Sequence, residues 1–161
     1  NPEVLEIVID RVKAAIKSNP DATIFSISQN DWYNPCTCPE CARVDAEEGA
    51  HSGTMLRFVN ACAASIADEF PDVVIDTFAY QYTRQPPKLT RPLPNVCVRI
   101  CSIECCFSHP LRSCDEVAHP YKERALTSST SFQQDLAAWS KICKRMFIWD
   151  YTTNYKCSLI W

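Results

Sequence analysis

Residues 73–82 read VVIDTFAYQY, and the segment from Val73 to Tyr80 predicts a β-strand. A short run of β-branched and aromatic residues is typical of strands. Similar runs predict three further strands at residues 22–28, 96–103 and 145–149. Each run gives way at its carboxyl end to acids, amides and aromatic residues. In parallel α/β folds that end of the sheet carries the active site, so the pattern bears on both fold and function.

Helical segments separate most of these strands. Apolar residues recur at helical spacing from Val4 to Ile16, after a start at Asn1-Pro2, and again from Thr54 to Phe70. Ser131 and Gln134 form a capping box that opens a third helix. Residues 29–49 are predicted to form a polar, cysteine-rich loop. Parallel strands need crossovers of a dozen or more residues, and the proline-rich link at residues 84–94 is about that long.

The predicted order is helix, strand, helix, strand, strand, helix, strand, which indicates an α/β fold with a parallel sheet. Four strands form either a small open sheet or part of a barrel, because a closed barrel takes about eight. We interpret the chain as a partial (β/α)8 TIM barrel, with about four parallel strands and flanking helices. Residues 1–161 form one domain in this interpretation, the C-terminal half of the barrel.

Composition excludes several classes of protein. The chain has 161 residues and is 47% hydrophobic, which is too much for a disordered protein. No apolar run is long enough for a membrane span, and a net charge of −3 does not favour nucleic acid as a partner. Only 2 glycines are present, so a Gly-rich phosphate-binding loop is excluded.

Polar and aromatic residues after the predicted strands suggest a sugar-binding site. Aromatic faces stack on the C–H surfaces of pyranoses, while amides and carboxylates bind hydroxyls. Three acids are candidate catalytic residues, because glycosidic cleavage uses two carboxylates: Asp31, Glu104 and Asp150. The candidate substrate-binding residues are Asn30, Trp32, Tyr80, Gln81, Tyr82, Trp149, Tyr151 and Asn154. The alternative is that polar residues simply follow strands.

The strand alternation around the third predicted strand is ambiguous. Successive side chains of a strand point to opposite faces of the sheet. Glu104, Ser102 and Ile100 would therefore share one face, which places Arg99 and Cys101 on the other, the face covered by the helices. A bulge would resolve this, and so would an Arg99 that faces into the barrel.

A second candidate site is the cluster Cys36, Cys38 and Cys41. Three thiolates within six residues can wrap a zinc ion, which takes four ligands in a tetrahedron. The fourth ligand would be Cys105, Cys106, His109 or Cys114. Such a zinc site would be structural, and catalysis would require no cofactor. Unbound loop thiols or a disulfide are the alternatives. The chain has 11 cysteines, and most of those outside this cluster are expected to be reduced and buried.

The sequence also resembles a known family, domain of unknown function 4838. This mainly bacterial family is grouped with TIM-barrel glycoside hydrolases and is distantly similar to alpha-glucuronidases and beta-hexosaminidases. The likeness covers nearly the whole chain and is carried by residues 1–4 (NPEV), 26–41 (SISQNDWYNPCTCPEC), 52–60 (SGTMLRFVN), 76–87 (DTFAYQYTRQPP), 101–111 (CSIECCFSHPL) and 139–154 (WSKICKRMFIWDYTTN).

The resemblance implies a carbohydrate-active barrel within a longer protein, with strands before Asn1 and a final strand after Asn154. It would place a proton donor at Asp31 and the base, or its helper, at Glu104 and Asp150. The adjacent Asp-Glu pair of the hexosaminidases is absent, and Asn30-Asp31 stands in its place. The tail at residues 155–161 departs from the family's usual continuation.

We therefore expect a glycoside-hydrolase-like protein that binds and hydrolyses an oligosaccharide or polysaccharide. If the substrate is a uronic acid, Arg84 would clamp its carboxylate; the alternative for Arg84 is an exposed loop arginine. A non-catalytic carbohydrate-binding protein and a zinc-stabilised interaction module are the competing interpretations. Other domains of a longer chain, or a second copy of this one, are expected partners. The expected location is bacterial, and periplasmic or secreted rather than cytoplasmic.

Overall fold

The computed structural model describes residues 1–105, 110–113 and 130–151, together with the backbone of residues 153–154 and 159–160. The helices are α1 (Pro2–Ser18), α2 (Pro39–Glu48), α3 (Ser52–Ile66) and α4 (Phe132–Ile142), with 3₁₀ turns at Gln81–Thr83 and Leu111–Ser113. The strands are β1 (Ile24–Ser26), β2 (Val74–Ala79), β3 (Val96–Cys101), β4 (Met146–Trp149), β5 (Thr153–Asn154) and β6 (Leu159–Ile160).

Strands β1 to β4 form one sheet in the order of the sequence, and every neighbouring pair is parallel. The connections from β1 to β2 and from β3 to β4 contain helices, while the proline-rich link carries β2 into β3. The predicted α/β class is therefore confirmed: a four-stranded parallel sheet with flanking helices, an arrangement consistent with a partial α/β barrel. Strands β5 and β6 form a separate antiparallel pair.

Local signals set the helix starts as predicted. The Asn1 side chain accepts a hydrogen bond from the Glu3 amide at 2.9 Å, and Pro2 opens α1. Ser131 and Gln134 form the reciprocal capping box at the start of α4, with hydrogen bonds of 2.9 and 3.3 Å. These contacts satisfy amides that the first helical turn leaves without partners.

The two faces of the sheet differ in character. Residues on the helix side are apolar and almost fully buried, and they pack against α1, α3 and α4: Ile75, Ala79, Val96, Val98 and Ile100. On the opposite face, Phe78 is aligned with Arg99, and Arg99 with Phe147. This second face, which we call the open face, also presents Ile24 and Trp149, each 42% exposed.

The pairing of the strands shows on which face of the sheet Arg99 lies. The pairing of β2 with β3 is continuous from Ile75 to Ala79, so no bulge interrupts it. Arg99 lies on the open face, where it forms an ion pair with Asp76. Of the two solutions, the structure therefore has the one in which Arg99 points away from the helices.

Two predictions need correction. The segment predicted as a loop at residues 29–49 contains α2, with Pro39 in its first turn and Gly49 at its end in the left-handed conformation (φ 67°). The first strand is also shorter than predicted, since it covers only Ile24–Ser26 of residues 22–28. The other helices and strands match their predictions to within a few residues. Among the described helices, none is both long and apolar enough to cross a membrane.

Candidate functional site

The segments that follow the four parallel strands meet around one cavity of about 610 Å³, which we call the aromatic cleft. Five of its lining residues are aromatic, one is an acid and one is an amide. The lining comprises Gln29, Asp31, Tyr33, Phe78, Tyr80, Cys101, Ile103, Trp149 and Tyr151. The cleft thus lies at the carboxyl ends of the strands, the position expected for a site in a parallel α/β fold.

Asp31 is held at the cleft by groups from the segment after β2. The Tyr80 hydroxyl donates to Asp31 Oδ1 at 3.0 Å, and the Gln81 amide lies 3.5 Å from the same oxygen. Gln81 has a positive φ of 51°, a conformation that is uncommon outside glycine. Gln29 completes the link, because its amide donates to the Tyr80 carbonyl at 3.1 Å.

Two of the three cleft tyrosines, Tyr80 and Tyr151, have phenol pKa values raised above the ordinary value. Burial raises the pKa of Tyr80, and the nearby carboxylates of Asp31 and Glu104 raise it further. Burial likewise raises the pKa of Tyr151, with smaller contributions from Cys101, Tyr80 and Glu104. Both hydroxyls therefore keep their protons, and that of Tyr80 is donated to Asp31.

Glu104 lies next to the aromatic cleft but does not line it. Its carboxylate pairs with Arg84 Nη1 at 3.1 Å, and the Glu104 side chain is only 7% exposed. Arg84 also binds Asp135 at 2.8 Å and donates to the Thr130 carbonyl at 2.6 Å.

Arg84 departs from both interpretations offered for it. At 2% exposure it is not an exposed loop arginine. Its guanidinium already holds two carboxylates of the protein, so it is not presented to the cleft as a clamp for a ligand's carboxylate.

Asp150 does not line the cleft either. Its Oδ1 accepts hydrogen bonds from the Ser102 hydroxyl at 2.7 Å and from the Tyr151 amide at 2.9 Å. These bonds tie the end of β3 to the end of β4. Of the three predicted acids, Asp31 is the one that lines the cleft.

The predicted sugar-binding residues divide into two groups. Tyr80, Trp149 and Tyr151 line the cleft, and Gln81 supports Asp31. Asn30 and Trp32 are exposed but do not line it, and Trp32 is 61% exposed. Tyr82 lines a different cavity, where its ring meets that of His51 edge-on with centroids 6.1 Å apart. The Asn154 side chain lies outside the described residues.

Sequence reasoning missed several lining residues: Gln29, Tyr33, Phe78, Cys101 and Ile103. The alternation of side chains along a strand could have identified two of them. Phe78 shares its face with Asp76, and Cys101 shares its face with Arg99, so fixing the direction of Arg99 would have placed both on the open face.

An arginine connects two aromatic rings on the open face. The Arg99 guanidinium lies 5.7 Å from the centroid of Phe78 and 5.1 Å from that of Trp149. The same guanidinium pairs with Asp76, which is 1% exposed. Cation–π contacts of this kind hold both rings in a fixed orientation at the cleft.

The predicted thiol cluster is also present. The Sγ atoms of Cys36, Cys38 and Cys41 all lie within 4.8 Å of one another. The backbone amide of Cys41, and after it the thiols of Cys41 and Cys36, lower the pKa of the Cys38 thiol. Burial and the two neighbouring thiols raise the pKa of Cys41 to about 12.

Cys105 does not belong to this cluster as described, because it is 6% exposed and packs in the hydrophobic core. The other predicted fourth ligands, Cys106, His109 and Cys114, lie outside the described residues.

Fold and site together define an α/β protein with a parallel sheet whose carboxyl edge carries an aromatic cleft. The chain belongs to the family described as Domain of unknown function (DUF4838), whose model matches residues 1–160. No curated protein and no solved structure matches the chain.

Proposed function

We propose that this chain binds a glycan in the aromatic cleft. One observation carries the proposal: aromatic rings, an acid and phenolic hydroxyls from the segments after all four parallel strands line a single cavity. Its volume of about 610 Å³ falls in the range of roughly 300–1,000 Å³ typical of ligand sites. The fold alone would not identify a ligand, so the proposal depends on the chemistry of this lining.

The lining matches the two kinds of surface on a sugar ring. Tyr33 and Trp149 are 54% and 42% exposed, so their rings can stack on C–H faces. The Asp31 carboxylate and the hydroxyl oxygens of Tyr80 and Tyr151 supply acceptors for sugar hydroxyls. The exposure of the two rings favours an oligosaccharide or polysaccharide that lies along the cleft over a small enclosed ligand.

Glycoside hydrolysis is the second candidate function, and the pairing of acids around Tyr80 favours it. Asp31 accepts from the Tyr80 hydroxyl, and the charge of Glu104 also acts on Tyr80. Cleavage of a glycosidic bond uses two carboxylates on either side of the bond. Asp31 would face the substrate, and Glu104 would have to act from its ion pair with Arg84.

Binding is tested by titrating the chain with a panel of neutral and uronic-acid-containing oligosaccharides and following affinity by calorimetry. Trp149→Ala removes a cleft ring and should weaken binding about tenfold, in keeping with about 1–1.5 kcal/mol for one aromatic contact. Trp32→Ala is the matched control, since it removes an exposed tryptophan outside the lining and should leave the affinity unchanged. No binding to any member of the panel, or equal losses in both variants, would overturn the proposal.

Hydrolysis is tested with any oligosaccharide that binds, by measuring reducing ends released. Asp31→Asn should abolish turnover while preserving binding, because it keeps the shape and loses the charge. Asp72→Asn, at an exposed position away from the cleft, is the control. If the unaltered chain binds an oligosaccharide but releases no reducing ends, hydrolysis is excluded and the chain is a carbohydrate-binding protein.

A further inference from the structure

The three cluster thiols differ from the other described cysteines. Cys62, Cys97, Cys101, Cys105 and Cys143 are buried and behave as small apolar side chains. Cys36 and Cys38 are exposed and Cys41 is half-buried, so packing does not account for them. Their side chains nevertheless converge, with all three Sγ atoms within 4.8 Å of one another.

We propose that Cys36, Cys38 and Cys41 bind a zinc ion through their thiolates. Zinc–sulfur bonds of about 2.3 Å in a tetrahedron separate sulfur atoms by about 3.8 Å. The cluster already approaches this spacing, so a contraction of about 1 Å or less brings each pair of Sγ atoms to it. The ion therefore needs adjustment of side chains rather than a change of fold.

The backbone explains how the sequence brings the thiols together. Pro39 starts α2, with Cys38 at the N-cap and Cys41 in the first turn. Residues 30–37 form no helix or strand, so Cys36 reaches the same point from an irregular segment. The spacing C-x-C-x-x-C thus wraps around the helix start and leaves one side of the cluster exposed.

A metal ion explains the cluster better than a disulfide does. A disulfide uses two sulfur atoms and leaves the third without a role, whereas zinc takes all three. Zinc displaces the thiol protons when it binds and holds all three sulfur atoms as thiolates.

Within the described residues the cluster consists of Cys36, Cys38 and Cys41, and a water molecule on its exposed side would supply the fourth zinc ligand. Zinc bound here would join α2 to the segment that carries Asp31 and Tyr33 into the cleft.

The test is metal analysis of the chain purified without added zinc. We expect about one zinc per chain, and a fall to background in the triple variant that carries Cys36→Ser, Cys38→Ser and Cys41→Ser together. Cys62→Ala, which removes a buried thiol from α3, is the control and should keep its zinc. Absence of zinc in the unaltered chain, iron in its place, or full zinc in the triple serine variant would each overturn the proposal.

A second measurement needs no variant and so does not depend on the variants folding. Cobalt substituted for zinc in the unaltered chain should show sulfur-to-cobalt charge-transfer absorption of the strength of three thiolates. Absorption of the strength of one thiolate, or none, would overturn the proposal. The mass of the intact chain provides a further check. A mass lower by two hydrogen atoms, caused by a disulfide between two cluster thiols, would exclude the zinc site.

Discussion

At the scale of single residues, the Arg84 guanidinium binds the carboxylates of Glu104 and Asp135 at 3.1 and 2.8 Å, and all three side chains are nearly fully buried. These partners are 20 and 51 residues from Arg84 in sequence, so its role could not be assigned from the sequence. Asp31, Tyr80, Trp149 and Tyr151 were predicted and line the cleft. A position just after a strand fixes the edge of the sheet at which a residue lies, but it leaves the direction of the side chain open.

Arg84 is therefore expected to be more important for stability than any other arginine near the cleft. Arg84→Met should lower the free energy of unfolding by about 3–5 kcal/mol, because it leaves two buried carboxylates without their cation. Urea denaturation measures the loss. Arg43→Met is the control, since Arg43 pairs with Glu40 and Glu47 on the surface and should change stability little. Equal stability of the two variants would contradict this account.

Glu48 should make stability depend on pH in the acid range. It is fully buried and accepts hydrogen bonds from Arg57, Leu89 and Thr90. Burial raises its pKa, but these hydrogen bonds outweigh burial and hold the pKa at about 2. The folded pKa lies below the unfolded value of 4.5, so the stabilisation is present above pH 4.5 and is lost as the pH falls towards 2.

The shift corresponds to about 3 kcal/mol. Free energies of unfolding measured from pH 6 downwards should fall faster for the unaltered chain than for Glu48→Gln, which cannot lose a charge. The two curves should converge near pH 2. Parallel curves would show that Glu48 contributes no pH dependence.

At the scale of secondary structure elements, predictions succeeded where apolar side chains face the core. Helix α3 was predicted from its apolar spacing because that face packs against the sheet. Helix α2 was missed because its buried residues are Val44 and Glu48. One of the two is an acid, so the apolar spacing that indicates a helix is absent. Its contacts depend on Arg57 and the proline-rich link, which a helical pattern does not show.

The junction of α2 and α3 predicts an unusual effect of a glycine substitution. A Cβ on Gly53 would lie 2.2 Å from Glu48 Cγ and 2.4 Å from Glu48 Cβ. Helix propensity alone would make Gly53→Ala stabilising by up to about 1 kcal/mol. The clash should reverse the sign and destabilise the chain by about 1–3 kcal/mol, because Glu48 cannot move without losing its hydrogen bonds.

Thermal or urea denaturation checks the sign. Ala64→Gly, at an exposed position of the same helix, should lose about 1 kcal/mol by propensity alone. A Gly53→Ala variant more stable than the unaltered chain would show that Glu48 is not fixed in place.

At the scale of the whole molecule, the described helices pack on one side of the sheet, that of Val98 and Ile100. The open face buries Asp76, Cys97 and Cys101 but presents Phe147 at 49% exposure beside Trp149. Strands β1 and β4 stand at the two ends of the sheet order, so each has an edge without a strand partner in the described part of the chain. Exposed sheet edges and apolar faces favour association.

We therefore expect the chain to associate with a second copy of itself through the open face. Sedimentation at increasing concentrations should show molecular masses above that of a single chain. Phe147→Glu should shift the chain towards the monomer, because it places a charge in the apolar contact. Leu89→Glu is the matched control: Leu89 is 63% exposed but lies in the proline-rich link, so this change should leave association unaltered. A monomer at every concentration, or the same effect from both substitutions, would show that the open face does not mediate self-association.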